Sequence, residues 1–277
     1  PLGVALSQMY AKAIPDSKTA VQATKASVEN LNLLQAGRGE AAISLGDSLS
    51  DAYKGNTEAG FKAPLSKLRT ISALYPNYIH FVAAADSGIK SFDDIKGKRI
   101  SVGAPKSGTE LNSRAILAAA GISYKDFAKV EYLSYAESVE LMKNRQLDVT
   151  LLSSGAGVAA LRDLATSQKV VFLTIPEEIV KKIDDPAYQV GVIPANTYEG
   201  QTSDVKTVSV QNFLVTHSGV SEQTVYTMTK TMFENLDQMV AAHAAAKGIK
   251  LENAAKNPPA PLHPGAERYY KEVGVLN

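Results

Sequence analysis

The sequence predicts an α/β fold, and three observations carry that reading. Short apolar runs with the two-residue period of a strand alternate with stretches of helical spacing along the whole chain. Glycine and proline punctuate the boundaries between them. The 277 residues, 45% of them hydrophobic, are enough to fill a sizeable interior, burying about 75% of the surface that the unfolded chain exposes. Strands that alternate with helices imply a parallel sheet covered by helices.

The elements follow in order. Residues 2–13 put Leu2, Leu6, Met9, Tyr10 and Ala13 at helical spacing, and Pro15 stops the helix. Residues 18–23 alternate like a strand, residues 28–35 return to helical spacing that ends at Gly37, and residues 41–45 read as a short buried strand. Further strands are predicted at 71–74, 79–85, 99–102, 130–133, 149–152, 170–175, 188–193 and 207–216. Helices fit between them, notably at 110–120, 137–143, 156–167 and 221–246. Pro258, Pro259, Pro261 and Pro264 make residues 257–264 an irregular wrap before a last helix at 265–273. An internal echo runs through this pattern. Ser27-Val28-Glu29 opens a helix that leads to Gly39-Glu40 and an apolar strand, and Ser138-Val139-Glu140 opens one that leads to Leu147-Asp148 and an apolar strand. Either two βα units are alike by chance, or the chain has two lobes of related architecture, divided near residues 83–86 and 204–207.

Composition removes several classes of function. The 29 Lys+Arg and 28 Asp+Glu leave a net charge of +1, and balanced charge with plentiful apolar residues excludes disorder as the main state. No basic cluster marks a nucleic-acid binder. The longest apolar runs, such as 115–122, are far short of a membrane span, which needs roughly 20 residues. There is no cysteine, hence no disulfide, thiolate metal site or cysteine nucleophile; this fits an oxidising compartment and many cytosolic chains alike. The sequence starts at Pro1 with neither Met nor a basic-then-apolar leader, which reads as a processed or trimmed chain.

Catalytic signatures are missing. His80, His217, His243 and His263 are far apart and none forms H-E-x-x-H; His80 and His217 fall in apolar strand patterns, as structural histidines do. No G-x-S-x-G elbow is present. The expectation is no catalytic set, no metal and no cofactor. The most informative segment is Arg99-Ile-Ser-Val-Gly103-Ala-Pro-Lys-Ser107-Gly108-Thr109-Glu110, a strand, a small-residue loop and a helix start. Its glycines have P-loop spacing, but no lysine follows the second one. What remains is an anion site of unengaged N–H groups at a helix start, backed by the helix dipole. Ser107 and Glu110 also read as an S-x-x-E capping box. The two readings are compatible: Ser107 caps while Thr109 and the Gly108 amide face a ligand carboxylate.

The same device recurs. Ser134-Tyr-Ala-Glu137 is a second box, Ser27 opens a helix and Ser153 follows a strand. Together these put small hydroxyls at the carboxyl ends of strands, where open α/β sheets bind ligands. Asp47, just past the strand at 41–45, is either a receiver for a ligand ammonium or a cap for the next helix. Tyr75 and Tyr188 either cover a ligand and donate to it or pack in the core.

These residues resemble a known family. Ser91-Phe-Asp-Asp-Ile-Lys-Gly-Lys-Arg-Ile-Ser-Val-Gly103 followed by Ser107-Gly-Thr109 is similar to the lobe-entry segment of type II periplasmic solute-binding proteins. More narrowly, the chain resembles the TAXI family of TRAP-transporter solute receptors. That likeness is carried by Pro1-Leu-Gly3 before a helix, Thr24…Ser27-Val28-Glu29-Asn30-Leu31, Asp51-Ala-Tyr-Lys-Gly55, Leu74-Tyr75-Pro76 and Ile193-Pro-Ala-Asn-Thr-Tyr-Glu-Gly-Gln201. The resemblance implies a two-lobed, type II periplasmic-binding-protein-like fold with a ligand cleft between lobes, lobe 1 being 1–83 with 206–277 and lobe 2 being 84–205. It implies a periplasmic receptor that hands a small carboxylate (L-glutamate, glutamine or a dicarboxylate such as 2-oxoglutarate) to integral-membrane TRAP permease subunits. Ser107, Gly108 and Thr109 would hold a carboxylate, Ser27, Tyr75, Ser153 and Tyr188 would add hydrogen bonds, and Asp47 would meet an amino group. A sensing module of a signalling receptor is the alternative, and an enzyme comes third. Two departures stand out. The family has a glycine-rich strand before the Tyr-Pro-x-Gly turn, whose loss would unpair an edge in the first lobe, and Lys25-Ala26 stand where a pair of glycines is expected before Ser27.

Overall fold

Local pattern sets most elements of the computed structural model, which describes residues 1–277. In chain order they are α1 (Leu2–Ala13), α2 (Ser27–Gln35), β1 (Ala42–Leu45), α3 (Gly46–Lys54), β2 (Leu68–Ala84), β3 (Arg99–Ser101), α4 (Gly108–Ala119), β4 (Lys129–Glu131), α5 (Tyr135–Lys143) and β5 (Val149–Ser154). There follow α6 (Ala159–Ser167), β6 (Val170–Phe172), α7 (Glu177–Ile183), β7 (Tyr188–Ile193), β8 (Val205–His217), α8 (Glu222–Glu234), α9 (Leu236–Ala242) and α10 (Pro264–Glu272). The chain divides into two compact units, Pro1–Tyr75 with Gln211–Asn277, and Pro76–Val210. β2 and β8 each run from one unit into the other.

In the first unit, β1 pairs antiparallel with the end of β8, from Ala42 opposite Val215 to Leu45 opposite Asn212. The face of α1 that carries Leu2, Leu6, Met9 and Tyr10 packs with Ile71, Leu74, Leu214, Met228, Met232 and Tyr270 in one core. The proline-rich stretch 257–264 is anchored along β2. Thr70 N donates to Pro261 O at 2.8 Å, His263 N donates to Thr70 O at 2.9 Å, and Thr70 Oγ1 donates to Ala260 O at 2.7 Å.

The helix predicted at 221–246 breaks at Asn235, whose φ of −131° leaves the helical region while its side-chain amide donates to Thr231 O at 2.8 Å. The Asp51…Gly55 motif ends α3. Asn56 N donates to Asp51 O at 2.9 Å, Gly55 has φ +73°, and a Cβ on it would stand 2.5 Å from Pro64 N. Residues 18–23 have a strand's period but join no ladder. β1 has β8 on one side only, and its other edge shares with residues 18–22 a groove of about 710 Å³ over Leu6, Tyr10, Leu34 and Ile43. An extended segment without a neighbour at ladder spacing remains coil.

In the second unit the sheet is mixed rather than parallel, a correction to the expectation from strand–helix alternation. β3 is parallel to β4 and to β5, but β2 runs antiparallel to β5 and β6, and β7 antiparallel to β8. Parallel neighbours need a helical crossover, which α4 and α5 supply. After β2 the chain instead returns through two short 3₁₀ turns, without a crossover helix. The core gathers Val82, Val139, Met142, Leu152, Leu161, Leu164, Ile193 and Tyr198.

The two copies of the internal echo diverge at their acidic ends. Asp148 binds the Arg99 guanidinium at 2.8 and 3.0 Å and also accepts from Arg99 N at 2.8 Å, so Arg99 holds its carboxyl below the usual range. Glu40 is exposed, and Thr216 bonds its backbone carbonyl.

Candidate functional site

In the second unit the site starts where β3 gives way to α4. Gly103 has φ +103°, and a Cβ there would lie 2.8 Å from Thr109 Cγ2 and 2.9 Å from Glu110 N, so only glycine lets the loop fold this tightly onto the first turn of the helix. Ser107 is the N-cap: its Oγ accepts from Glu110 N at 3.2 Å and donates to Ala104 O at 2.6 Å. The reciprocal half of the expected capping box is not made. The Glu110 carboxylate turns to Arg114 at 2.8 Å and accepts from the Tyr124 hydroxyl at 2.9 Å. The amide N–H groups of Gly108 and Thr109 meet no protein acceptor and lie at the positive end of the α4 dipole.

Tyr135 joins two of the sequence-predicted residues. Its hydroxyl lies 2.7 Å from Thr109 Oγ1, donates to Ser153 O at 2.5 Å and accepts from Ser153 N at 3.2 Å. Asn77 Nδ2 donates to Ser153 O at 2.9 Å and to Ser153 Oγ at 3.3 Å. Burial raises the Tyr135 pKa, which keeps the phenol neutral. Tyr188 opens β7, is buried, and accepts from Asn112 Nδ2 of α4 at 3.1 Å.

In the first unit, Ser27 is the first residue of α2 and its Oγ accepts from Leu45 N at 3.1 Å, which sets it at the carboxyl end of β1. The N–H groups of Ser27, Val28 and Glu29 meet no protein acceptor. Ala26, just ahead, has φ +72° and ψ −142°, a conformation suited to glycine. Asp47 is buried in the first turn of α3, one residue inside the helix start and two past its N-cap, Leu45. Its carboxylate therefore sits favourably on the helix dipole without being the cap residue. The Tyr75 ring stacks on His243 with centroids 6.1 Å apart, and its carbonyl accepts from Asn212 Nδ2 at 3.0 Å.

Sequence reasoning passed over Tyr135, Asn77 and Asn112. Tyr135 stands inside the Ser134…Glu137 box, where the cap residues drew attention and the residue between them did not. No helix is long and apolar enough to cross a membrane.

The fold is that of periplasmic binding proteins. The chain is similar to a protein of Bordetella bronchiseptica (TM-score 0.60, 12% identity, 99% of this chain and 93% of that one). It is also similar to the periplasmic aliphatic sulphonate-binding protein SsuA of Escherichia coli (TM-score 0.51, 14% identity, 100% of this chain and 76% of that one). A histidine kinase sensor domain with similarity to periplasmic binding proteins is a third such structure (TM-score 0.52, 12% identity, 90% and 86% covered). At these identities the likeness is one of fold. The NMT1-like family matches residues 1–274, and the chain belongs to it.

Proposed function

We propose that this chain is an extracytoplasmic solute-binding receptor that captures a small carboxylate for a TRAP-type membrane permease. The observation that supports it most is the start of α4, where the amides of Gly108 and Thr109 have no protein acceptor, Gly103 draws the loop tight behind them, and Ser153 is held nearby through Tyr135. Backbone N–H groups at a helix start bind carboxylates and other oxyanions. The candidate ligand residues are Ser107, Gly108, Thr109, Ser153 and Tyr188 in one unit and Ser27, Asp47 and Tyr75 in the other. Arg99 and Arg114 are engaged by Asp148 and Glu110, which favours capture by amides and hydroxyls over an arginine clamp. L-Glutamate, glutamine and 2-oxoglutarate are the ligands of this reading.

A thermal-shift screen followed by calorimetry tests it, since the chain has no Trp to report binding by fluorescence. A ligand at 100 times its dissociation constant adds about 2.7 kcal/mol, or several degrees at roughly 2–4 °C per kcal/mol. A selective shift with one of these carboxylates and no turnover supports the reading. A hit confined to sugars, nucleotides or aliphatic sulfonates sinks it. Sensing is the second reading, favoured by the likeness in fold to a kinase sensor domain; a signalling output joined to the same polypeptide would select it.

A further inference from the structure

The carboxylate reading makes Thr109 a donor to the ligand, and the bonds around it reverse that role. A carbonyl oxygen only accepts, so the 2.5 Å contact from Tyr135 Oη to Ser153 O takes the single phenol proton. The 2.7 Å contact between Thr109 Oγ1 and Tyr135 Oη is then carried by the threonine proton. Ser107 is committed in the same way, its proton going to Ala104 O at 2.6 Å. What the start of α4 offers a ligand is therefore divided by polarity. The Gly108 and Thr109 amides donate, whereas Thr109 Oγ1 has only lone pairs to give.

We propose that Tyr135 is a specificity-determining positioning residue: by holding Thr109 as an acceptor, it makes the site select a carboxylate that carries an N–H donor, an ammonium or an amide, over its keto counterpart. This inference rests on the carboxylate reading and deepens it. Tyr135 acts through Thr109 and Ser153, and the same phenol that orients the threonine also ties down the backbone of Ser153.

The test is calorimetry with L-glutamate and 2-oxoglutarate, which share a carbon skeleton and differ in amino against keto. The wild-type chain is expected to favour glutamate by about tenfold or more, the scale of one mismatched polar contact. In Tyr135→Phe the Thr109 proton is released to turn toward the ligand, and the ratio of the two affinities falls toward one or inverts. A merely structural role would weaken both ligands together and leave the ratio alone. Thr109→Val, which removes the acceptor while keeping the side-chain volume and the α4 amides, also collapses the ratio and serves if Tyr135→Phe does not fold. A wild-type preference for 2-oxoglutarate, equal affinities, or a ratio unmoved in the folded variants overturns the inference. Wild-type chain that binds neither compound overturns the carboxylate reading beneath it.

Discussion

His80 and Tyr198, 118 residues apart in sequence, meet at 2.8 Å between imidazole Nε2 and phenol oxygen. The geometry fixes the proton on each. His80 Nδ1 lies 2.9 Å from Tyr78 O, a carbonyl, so Nδ1 carries hydrogen and Nε2 accepts from Tyr198. The phenol oxygen in turn accepts from Gly157 N at 2.9 Å and Val158 N at 3.2 Å. β2, the 196–201 loop and the turn after β5 are thereby held by one histidine–tyrosine pair. That turn follows β5, the strand that carries Ser153.

The pair makes stability depend on pH in a defined window. Burial pulls the His80 pKa down from 6.5 to about 4, with the carbonyls of Tyr78 and Leu152 opposing the shift. Between those values the unfolded chain binds a proton that the folded chain refuses. The stability is therefore complete above pH 6.5 and declines as pH falls toward 4, by at most about 3 kcal/mol for this group. Denaturant titrations of wild type and His80→Gln across pH 4–7 should show a shallower slope in the variant. Burial also lowers the pKa of His263 and of His243, but both contribute to the two proteins alike. Identical slopes would show that His80 does not titrate this way.

Tyr198→Phe keeps the ring that stacks on Phe172 at 4.9 Å and deletes only the hydroxyl. It leaves His80 Nε2 and the two amides of the 157–158 turn without their partner. The expected loss is about 1–3 kcal/mol, seen as a fall of several degrees in Tm. Amide hydrogen exchange should accelerate at Gly157 and Val158 while β3 and β4 stay protected. Uniform acceleration across the second unit would mean that the pair supports the whole core and not the turn.

Much of this was legible in the sequence where the cause is local. The face of α1 and the box at Ser134 each follow from a few neighbouring residues, and each is found in place. His80 and His217 are the hydrogen-bonded structural histidines that their strand patterns predict. What escaped depends on residues far apart. Whether residues 18–23 become a strand is decided by what lies beside them, and strand direction in the second unit by the lack of a helix between β2 and β3. The role of Tyr135 could not be read from its own position, because its partners Thr109 and Ser153 stand 26 and 18 residues away.

Ala26→Gly should stabilise the chain. With φ +72° and ψ −142°, alanine occupies a region that costs a residue with a Cβ about 1–3 kcal/mol. Glycine removes that strain while adding roughly 1 kcal/mol of unfolded-state entropy. The expected net gain is about 1 kcal/mol, read as a rise in Tm of a few degrees. Because Ala26 leads directly into α2, the bond from Leu45 N to Ser27 Oγ should persist. A fall in Tm would show that the entropy of glycine outweighs the relieved strain.

Gly103→Ala and Gly97→Ala separate backbone strain from crowding at the start of α4. Both glycines have positive φ, +103° and +76°, but the space around Gly97 is open, whereas a Cβ at Gly103 meets Thr109 and Glu110 N within 3 Å. Gly97→Ala should therefore cost only the conformational penalty, about 1 kcal/mol. Gly103→Ala adds an overlap with backbone that cannot rotate away, and should cost about 1–3 kcal/mol beyond that. Its second effect discriminates further. Relieving the overlap pushes the first turn of α4 outward and moves the Gly108 and Thr109 amides, so carboxylate affinity should drop in Gly103→Ala and hold in Gly97→Ala. Equal Tm losses would show that the loop absorbs the methyl group. Unchanged affinity in a destabilised Gly103→Ala would instead place the ligand away from this helix start.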